Sequence, residues 1–183
     1  MGNNPSDSCT TAFVTASRHF LDVPIKIELL RFGARVPRKA HPPAAAFDLF
    51  LPKQPITPIT QDGDGVEEGI SEGQRGIYIP VGGRARLGLG FSTEIPEGYC
   101  AHILSRSSTQ GFVYHGVIDS DYRGEWIVSL CNHTQHRKFF PWWCKIAQFY
   151  LQEVIPTTFE VVPKGSLTPT ARAGGGFGST GTF

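Results

Sequence analysis

The chain has 183 residues with a formal net charge of +1, 40% of them hydrophobic and 18% charged. That length suits one domain with a sizeable core, and the near-neutral balance leaves no global field to recruit nucleic acid or an acidic membrane. Cys9, Cys100, Cys131 and Cys144 form no CxxC pair, so neither a zinc site nor a disulfide framework is expected, and the thiols fit an intracellular protein, cytoplasmic or nuclear and not secreted.

Residues 1–21 are small, polar and aperiodic, and are expected to be a flexible leader. They begin Met1-Gly2-Asn3-Asn4-Pro5-Ser6, which fits the permissive myristoylation pattern. No polybasic segment follows, and one acyl chain anchors only weakly, so membrane attachment is not expected. No apolar run approaches the ~18 residues of a membrane span. From Val23 the pattern changes: Val23, Ile25, Ile27 and Leu29 alternate with Pro24, Lys26 and Glu28, which predicts a half-buried strand. Arg31, Arg35, Arg38 and Lys39 read as a solvated loop.

Further strands are expected at Ala45–Leu51, Ile77–Val81, Arg86–Phe91, Tyr99–Ser105, Phe112–Val117, Trp126–Cys131, Lys138–Pro141, Ile146–Glu153 and Phe159–Val162. Turn residues such as Val81-Gly82-Gly83, Pro96-Glu97-Gly98 and Asn132-His133-Thr134 separate them. Residues 61–76 are acidic and glycine-rich, a surface insertion; its Asp62-Gly63-Asp64-Gly65 lacks the ligand spacing of a calcium loop. No window of about 12 residues holds a helical period without Gly or Pro. With 21 Gly and 14 Pro, the fold is expected to be all-β, a sandwich or jelly roll. Residues 22–163 form this domain, and 164–183 a glycine-rich C-terminal arm.

Chemistry concentrates in three places. Gly116-Val117-Ile118-Asp119-Ser120-Asp121-Tyr122-Arg123-Gly124 packs two carboxylates and a tyrosine into a turn after apolar strand residues. Asp119 at such a mouth could deprotonate a water, although Asp119 and Asp121 could equally bond turn N–H groups. Leu104-Ser105-Arg106-Ser107-Ser108-Thr109 is a donor cluster leaving a strand, suited to phosphate oxygens. The tail Arg172-Ala173-Gly174-Gly175-Gly176-Phe177-Gly178-Ser179-Thr180-Gly181 offers a guanidinium, an aromatic ring and hydroxyls on a backbone free to wrap a ligand. It has no P-loop lysine. His133 and His136 read as a surface turn without a third metal ligand. Trp142-Trp143 reads as a core or subunit-interface pair.

The order of these motifs resembles the homotrimeric dUTPase family (dUTP nucleotidohydrolases), from about Val23 to the C-terminus. The segments that carry the resemblance are Ala45-Ala46-Phe47-Asp48-Leu49, Arg106-Ser107-Ser108, Gly116–Gly124, Lys145-Ile146-Ala147-Gln148 and Arg172–Gly181. The resemblance implies a jelly-roll subunit and a homotrimer with three active sites, each built from all three chains, converting dUTP to dUMP and pyrophosphate. It makes Asp119 the residue that activates water for attack on the α-phosphorus, and seats Tyr122 on the deoxyribose. Gly116, Val117 and Ile118 would read the uracil edge with backbone groups. Arg106, Ser107, Ser108 and Gln148 would contact the phosphates. Asp48 would hold waters of a triphosphate-bound Mg²⁺. From the arm, Phe177 and Gly178 would cover the uracil while Arg172, Ser179 and Thr180 grip the γ-phosphate.

The chain departs from the family pattern at Ala46-Phe47, where Gly-Tyr is usual, and at Trp143-Cys144-Lys145, where Gly-acidic-Arg is usual. It departs again at Ala173 and in the short stretch Thr109–His115. A catalytically impaired dUTPase-like binding or signalling protein is the alternative reading. A dCTP deaminase is disfavoured because Ser129 stands where that family keeps its catalytic Glu.

Overall fold

In the computed structural model, residues 22–53 and 66–174 are described, and among them every regular element is a strand apart from one 3-10 turn at Ser107–Thr109. The strands are β1 Lys26–Leu29, β2 Arg38–Lys39, β3 Phe47–Phe50, β4 Glu67–Ser71, β5 Gln74–Ile79 and β6 Arg84–Gly88. They continue with β7 Phe91–Glu94, β8 Tyr99–Leu104, β9 Gly116–Ile118, β10 Ile127–Cys131, β11 Lys138–Pro141 and β12 Lys145–Glu153. All the pairings are antiparallel, in four sheets: β1-β7, β10-β6, β11-β5-β4 and the five-stranded β2-β3-β12-β8-β9. This is the expected all-β architecture. No helix among the described residues is long and apolar enough to cross a membrane.

Alternation builds one core between the sheets. Leu49, Leu51, Ile77, Ile79, Leu87, Leu89, Ile103, Leu130 and Ile146 are fully buried, and each removes ~1.5–3 kcal/mol of side-chain surface from water. Trp126 fills the centre, tilted on Phe91 at 5.3 Å and edge-on to Phe149 at 4.9 Å, with its indole N–H donating to Thr93 Oγ1 at 2.9 Å. That bond satisfies the one polar atom of a fully buried ring.

Several expectations shift. The segment expected as one strand at 86–91 is two, β6 and β7, because Gly90 in the left-handed region (φ 77°) breaks the run. The strand expected over 112–117 narrows to β9, with Val113 bridging to Leu130 alone. Residues 67–76, expected as an irregular insertion, pair instead as the hairpin β4–β5. Glu72 and Gly73 both take positive φ (48° and 76°), matching the twist of a two-residue hairpin turn. Phe159–Val162 forms no strand. A β-prone sequence needs a ladder partner, and here none is supplied.

The first compact unit ends at Glu153, and Val154–Phe183 is a separate unit, so the arm boundary expected at 164 falls inside it. Its described part is exposed and extended, with turns closed by Ser166 N–H to Pro163 O at 3.1 Å and Ala173 N–H to Thr170 O at 3.0 Å.

Candidate active site

The five-stranded sheet positions the functional side chains. Directly opposed residues on antiparallel strands point to one face, and the register sets Arg38, Asp48, Gln148 and Leu104 side by side across four strands. The chain leaves β8 just beyond Leu104, so Ser105 and Arg106 arrive at the same end. Gln148 Nε2 donates to Ser105 O at 2.9 Å and ties that exit to β12.

Asp48 is the hub of this end. It is buried, yet Arg106 Nε lies 2.8 Å from Oδ1 and Lys145 Nζ 2.7 Å from Oδ2. The lysine contact is one of charge without hydrogen-bond alignment, so buried Oδ2 keeps an unfilled acceptor position. The turn after Arg106 is fixed from both ends. Arg106 N–H donates to Thr109 Oγ1 at 3.0 Å, and Thr109 N–H donates to Arg106 O at 3.0 Å. Thr109 is buried while Ser107 and Ser108 stay exposed, and Arg106 Nη1 donates to Ser108 Oγ at 3.3 Å. The result is a rigid loop edge of hydroxyls and a guanidinium, the donor set a phosphate chain takes.

Asp119 lies elsewhere. Among the described residues strand β9 is an edge, paired only with β8, with Ile118 opposite Ala101 and Gly116 opposite Ile103. Asp119 therefore leaves the sheet level with Cys100, at the other end of β8 from Arg106. Four strand steps, from Cys100 to Leu104, separate those levels by about 13 Å, and Arg106 lies two residues further on. Asp119 and Asp121 are exposed, and the turn closes with Tyr122 N–H to Asp119 O at 3.2 Å. Arg123 Nη1 donates to Ser120 O at 2.6 Å and caps the turn.

The half-exposed ring of Tyr122 lies over Gly124, where any Cβ would strike it, and its hydroxyl donates to Glu125 O at 3.0 Å. The Glu125 side chain pairs with Arg31 and accepts from Gly90 N–H at 2.7 Å. Two groups of candidate residues thus stand apart, one offering a guanidinium and hydroxyls and one carrying an open carboxylate beside an aromatic face.

The dUTPase family model matches residues 73–181. The chain belongs to the dUTPase family. Its match spans β12, β9 with its turn, and most of the arm. A deoxyuridine 5′-triphosphate nucleotidohydrolase from Yarrowia lipolytica is 32% identical over 161 residues, covering 86% of this chain and 88% of that protein. Among solved structures, the dUTPase of Staphylococcus bacteriophage 80alpha with dUPNHPP superposes with a TM-score of 0.62 at 20% identity, covering 86% of this chain and 98% of that one. A variant dUTPase from phage phi11 of S. aureus, which coordinates a structural Mg(II) ion, gives a TM-score of 0.59 at 17% identity, covering 79% and 99%. These likenesses fix the fold as the family's jelly roll.

Within that frame the departures of the dUTPase-like turn at 141–145 acquire shape. Trp143 takes φ 61° where the family has Gly, and its N–H donates to Leu51 O at 2.7 Å. Cys144 is half-buried, and burial pushes its thiol up to about 12, with Arg106 pulling weakly the other way. Lys145 gives Asp48 a point charge in place of a fork.

The arginine cluster read as a solvated loop is engaged after all. Arg31 holds Glu125, Arg35 and Arg38 lie on aromatic rings, and Lys39 sits 5.3 Å from the Phe47 ring centroid. His133 and His136 are exposed, and no group of three metal-ligating side chains occurs among the described residues. Of the arm, Arg172 is described, while Phe177, Gly178, Ser179 and Thr180 lie outside the described residues.

Sequence reading missed three supports. Glu125 and Gly124 seat Tyr122, and Glu125 carried no signal because its partners Arg31 and Gly90 are remote in sequence. Buried Asn132 donates to Ile79 O at 2.9 Å and His136 O at 2.8 Å and accepts from Thr134, locking the turn before β11. The turn signal Asn132-His133-Thr134 was visible, but not the reach of its side chain.

Proposed function

We propose that this chain hydrolyses dUTP to dUMP and pyrophosphate in sites shared between three copies, with Asp119 activating the water that attacks the α-phosphorus. The observation that carries the shared site is the register: Arg106 follows the far end of β8 while Asp119 follows β9 at the level of Cys100, with at least about 13 Å of strand between them. One substrate cannot span both within a chain at reaction distance, so the second half comes from a neighbour. Exposed Ile155, Phe159 and Val161 in the segment after β12 offer apolar surface for such a neighbour.

Exposed Asp119 accepts the water's proton as attack proceeds. The edge of β9, with no second strand partner among the described residues, leaves backbone groups of Gly116, Val117 and Ile118 to pair with the uracil edge. Tyr122 presents its face to the deoxyribose, and its fixed seat leaves no room for a 2′-hydroxyl. Arg106, Ser107, Ser108 and Gln148 hold the phosphate chain in line, and Arg172, Phe177, Gly178, Ser179 and Thr180 of the arm close over it. Asp48 Oδ2, buried with an unfilled acceptor position, suits a water of Mg²⁺ carried by the triphosphate, which when bound neutralises phosphate charge.

Mixed trimers test the sharing. Asp119→Asn and Arg106→Ala should each leave a folded trimer with pyrophosphate release from dUTP reduced by at least about a hundredfold. Co-refolding the two should restore activity, because some sites then pair an intact Asp119 with an intact Arg106. Mixtures as inactive as the parents would overturn the shared site, and turnover of UTP, dTTP or dCTP equal to dUTP would overturn the specificity.

A further inference from the structure

Beyond the phosphate half of the site, on the Asp48 side of the five-stranded sheet, positive charge and exposed aromatic surface gather. Arg35 stands 5.6 Å from the Phe50 ring centroid and 5.0 Å from that of Trp143. Arg38 stands 5.4 Å from Phe50, and Lys53 Nζ 5.6 Å from Trp143. All three cations are exposed, and none has an acidic partner among the described residues. Stacking on rings holds their heads in place while leaving N–H edges to solvent, which preorganises guanidinium forks for phosphate oxygens.

Two aromatics accompany them. Phe32 is 94% exposed, at the tip of a turn whose Gly33 backbone abuts Lys53 O so closely that no Cβ would fit. Trp143 is 38% exposed and held at φ 61°, a strained backbone for a bulky side chain. Glycine would take that backbone without strain, so the indole stands there at a local cost. Past Lys53 the surface opens into a groove of about 590 Å³ in which Arg75 offsets Glu68, so the excess positive charge persists. The formal charge of +1 is an average over the whole chain and hides this local field.

We propose that this face, built by Phe32, Arg35, Arg38, Lys53 and Trp143, binds single-stranded nucleic acid outside the nucleotide site. Ring-held cations track successive phosphates, and the exposed rings receive unstacked bases. That pairing of backbone charge with stacking platforms is how single strands are bound without sequence preference. A bilayer would use the charges but has no need of ring faces at a fixed spacing.

The test is fluorescence anisotropy of a labelled oligothymidine of about 16 nucleotides with the full chain, across a salt series. Trp143→Gly is the decisive variant because it relieves backbone strain: thermal stability should hold or rise while affinity falls by about tenfold. Arg35→Gln and Lys53→Gln should each flatten the slope of log K against log salt by about 0.7. Pyrophosphate release from dUTP should be unchanged in all three, and a saturating non-hydrolysable dUTP analogue should not displace the strand.

Displacement by that analogue would place the strand in the nucleotide site and overturn the proposal. So would equal affinity for duplex of the same length, unaltered binding by Trp143→Gly, or binding only to vesicles containing anionic lipid. A change of oligomeric state in Trp143→Gly would make the face a subunit contact and overturn it equally.

Discussion

Replacing Asp48 by Asn keeps its shape and removes the charge that two cations share. Hydrogen bonds to charged groups contribute ~1.5–3 kcal/mol, and removing one partner of a fully buried ion pair costs ~3–5 kcal/mol. Here the acid is buried, with a side-chain exposure of 6%, but Arg106 and Lys145 keep 25% and 35% of theirs. Water therefore takes up part of the orphaned positive charge, and the loss should be about 2–3 kcal/mol, below the range for a fully buried pair. For a chain of this size that lowers Tm by about 4–12 °C.

Thermal unfolding at fixed chain concentration measures it, since an oligomer's Tm depends on concentration. Lys145→Arg supplies the second arm of the cycle. A fork can donate to Oδ2, which lacks an aligned donor, so this variant should gain about 0.5–1.5 kcal/mol alone and nothing in the Asp48→Asn background. A Tm within about 1 °C of the parent for Asp48→Asn, or an arginine gain that survives the loss of the carboxylate, would refute the view that Asp48 anchors both cations.

Gly124→Ala should push the Tyr122 ring off its seat and break its bond to Glu125 O; stability should fall by about 1 kcal/mol and the preference for dUTP over UTP by about tenfold, read from kcat/KM for each, and an unchanged ratio would remove Tyr122 from sugar selection. Because the folded chain keeps the Cys144 proton up to about 12 while the unfolded thiol releases it near 9.0, stability conferred below pH 9 is lost as pH rises from 9 towards 12, by about 1.4 kcal/mol per unit. Denaturant titrations of Cys144→Ala should lack that share of the alkaline slope. Truncation after Lys164 should leave the β domain folded with little turnover, and unchanged kinetics would take the arm out of the reaction.

Period-two alternation, turn residues and the lack of any uninterrupted helical stretch were enough to give the all-β class, because burial of one strand face is written locally at every second residue. The motif order likewise carried the family. What the sequence could not determine is partnership. Ser71–Gln74 forms a hairpin although Glu72 is no usual turn residue, and Phe159–Val162 has strand composition without a strand to pair with. Asp48 is held between Arg106 and Lys145, from 58 and 97 residues further along the chain, two partners that its own motif does not reveal. Arg31, Glu125, Gly124 and Tyr122 became one support only when β-pairing brought residues 31 and 90 together. Charge contacts and hydrogen bonds act over a few ångströms of space, and only the sheet register converts distance along the chain into that proximity.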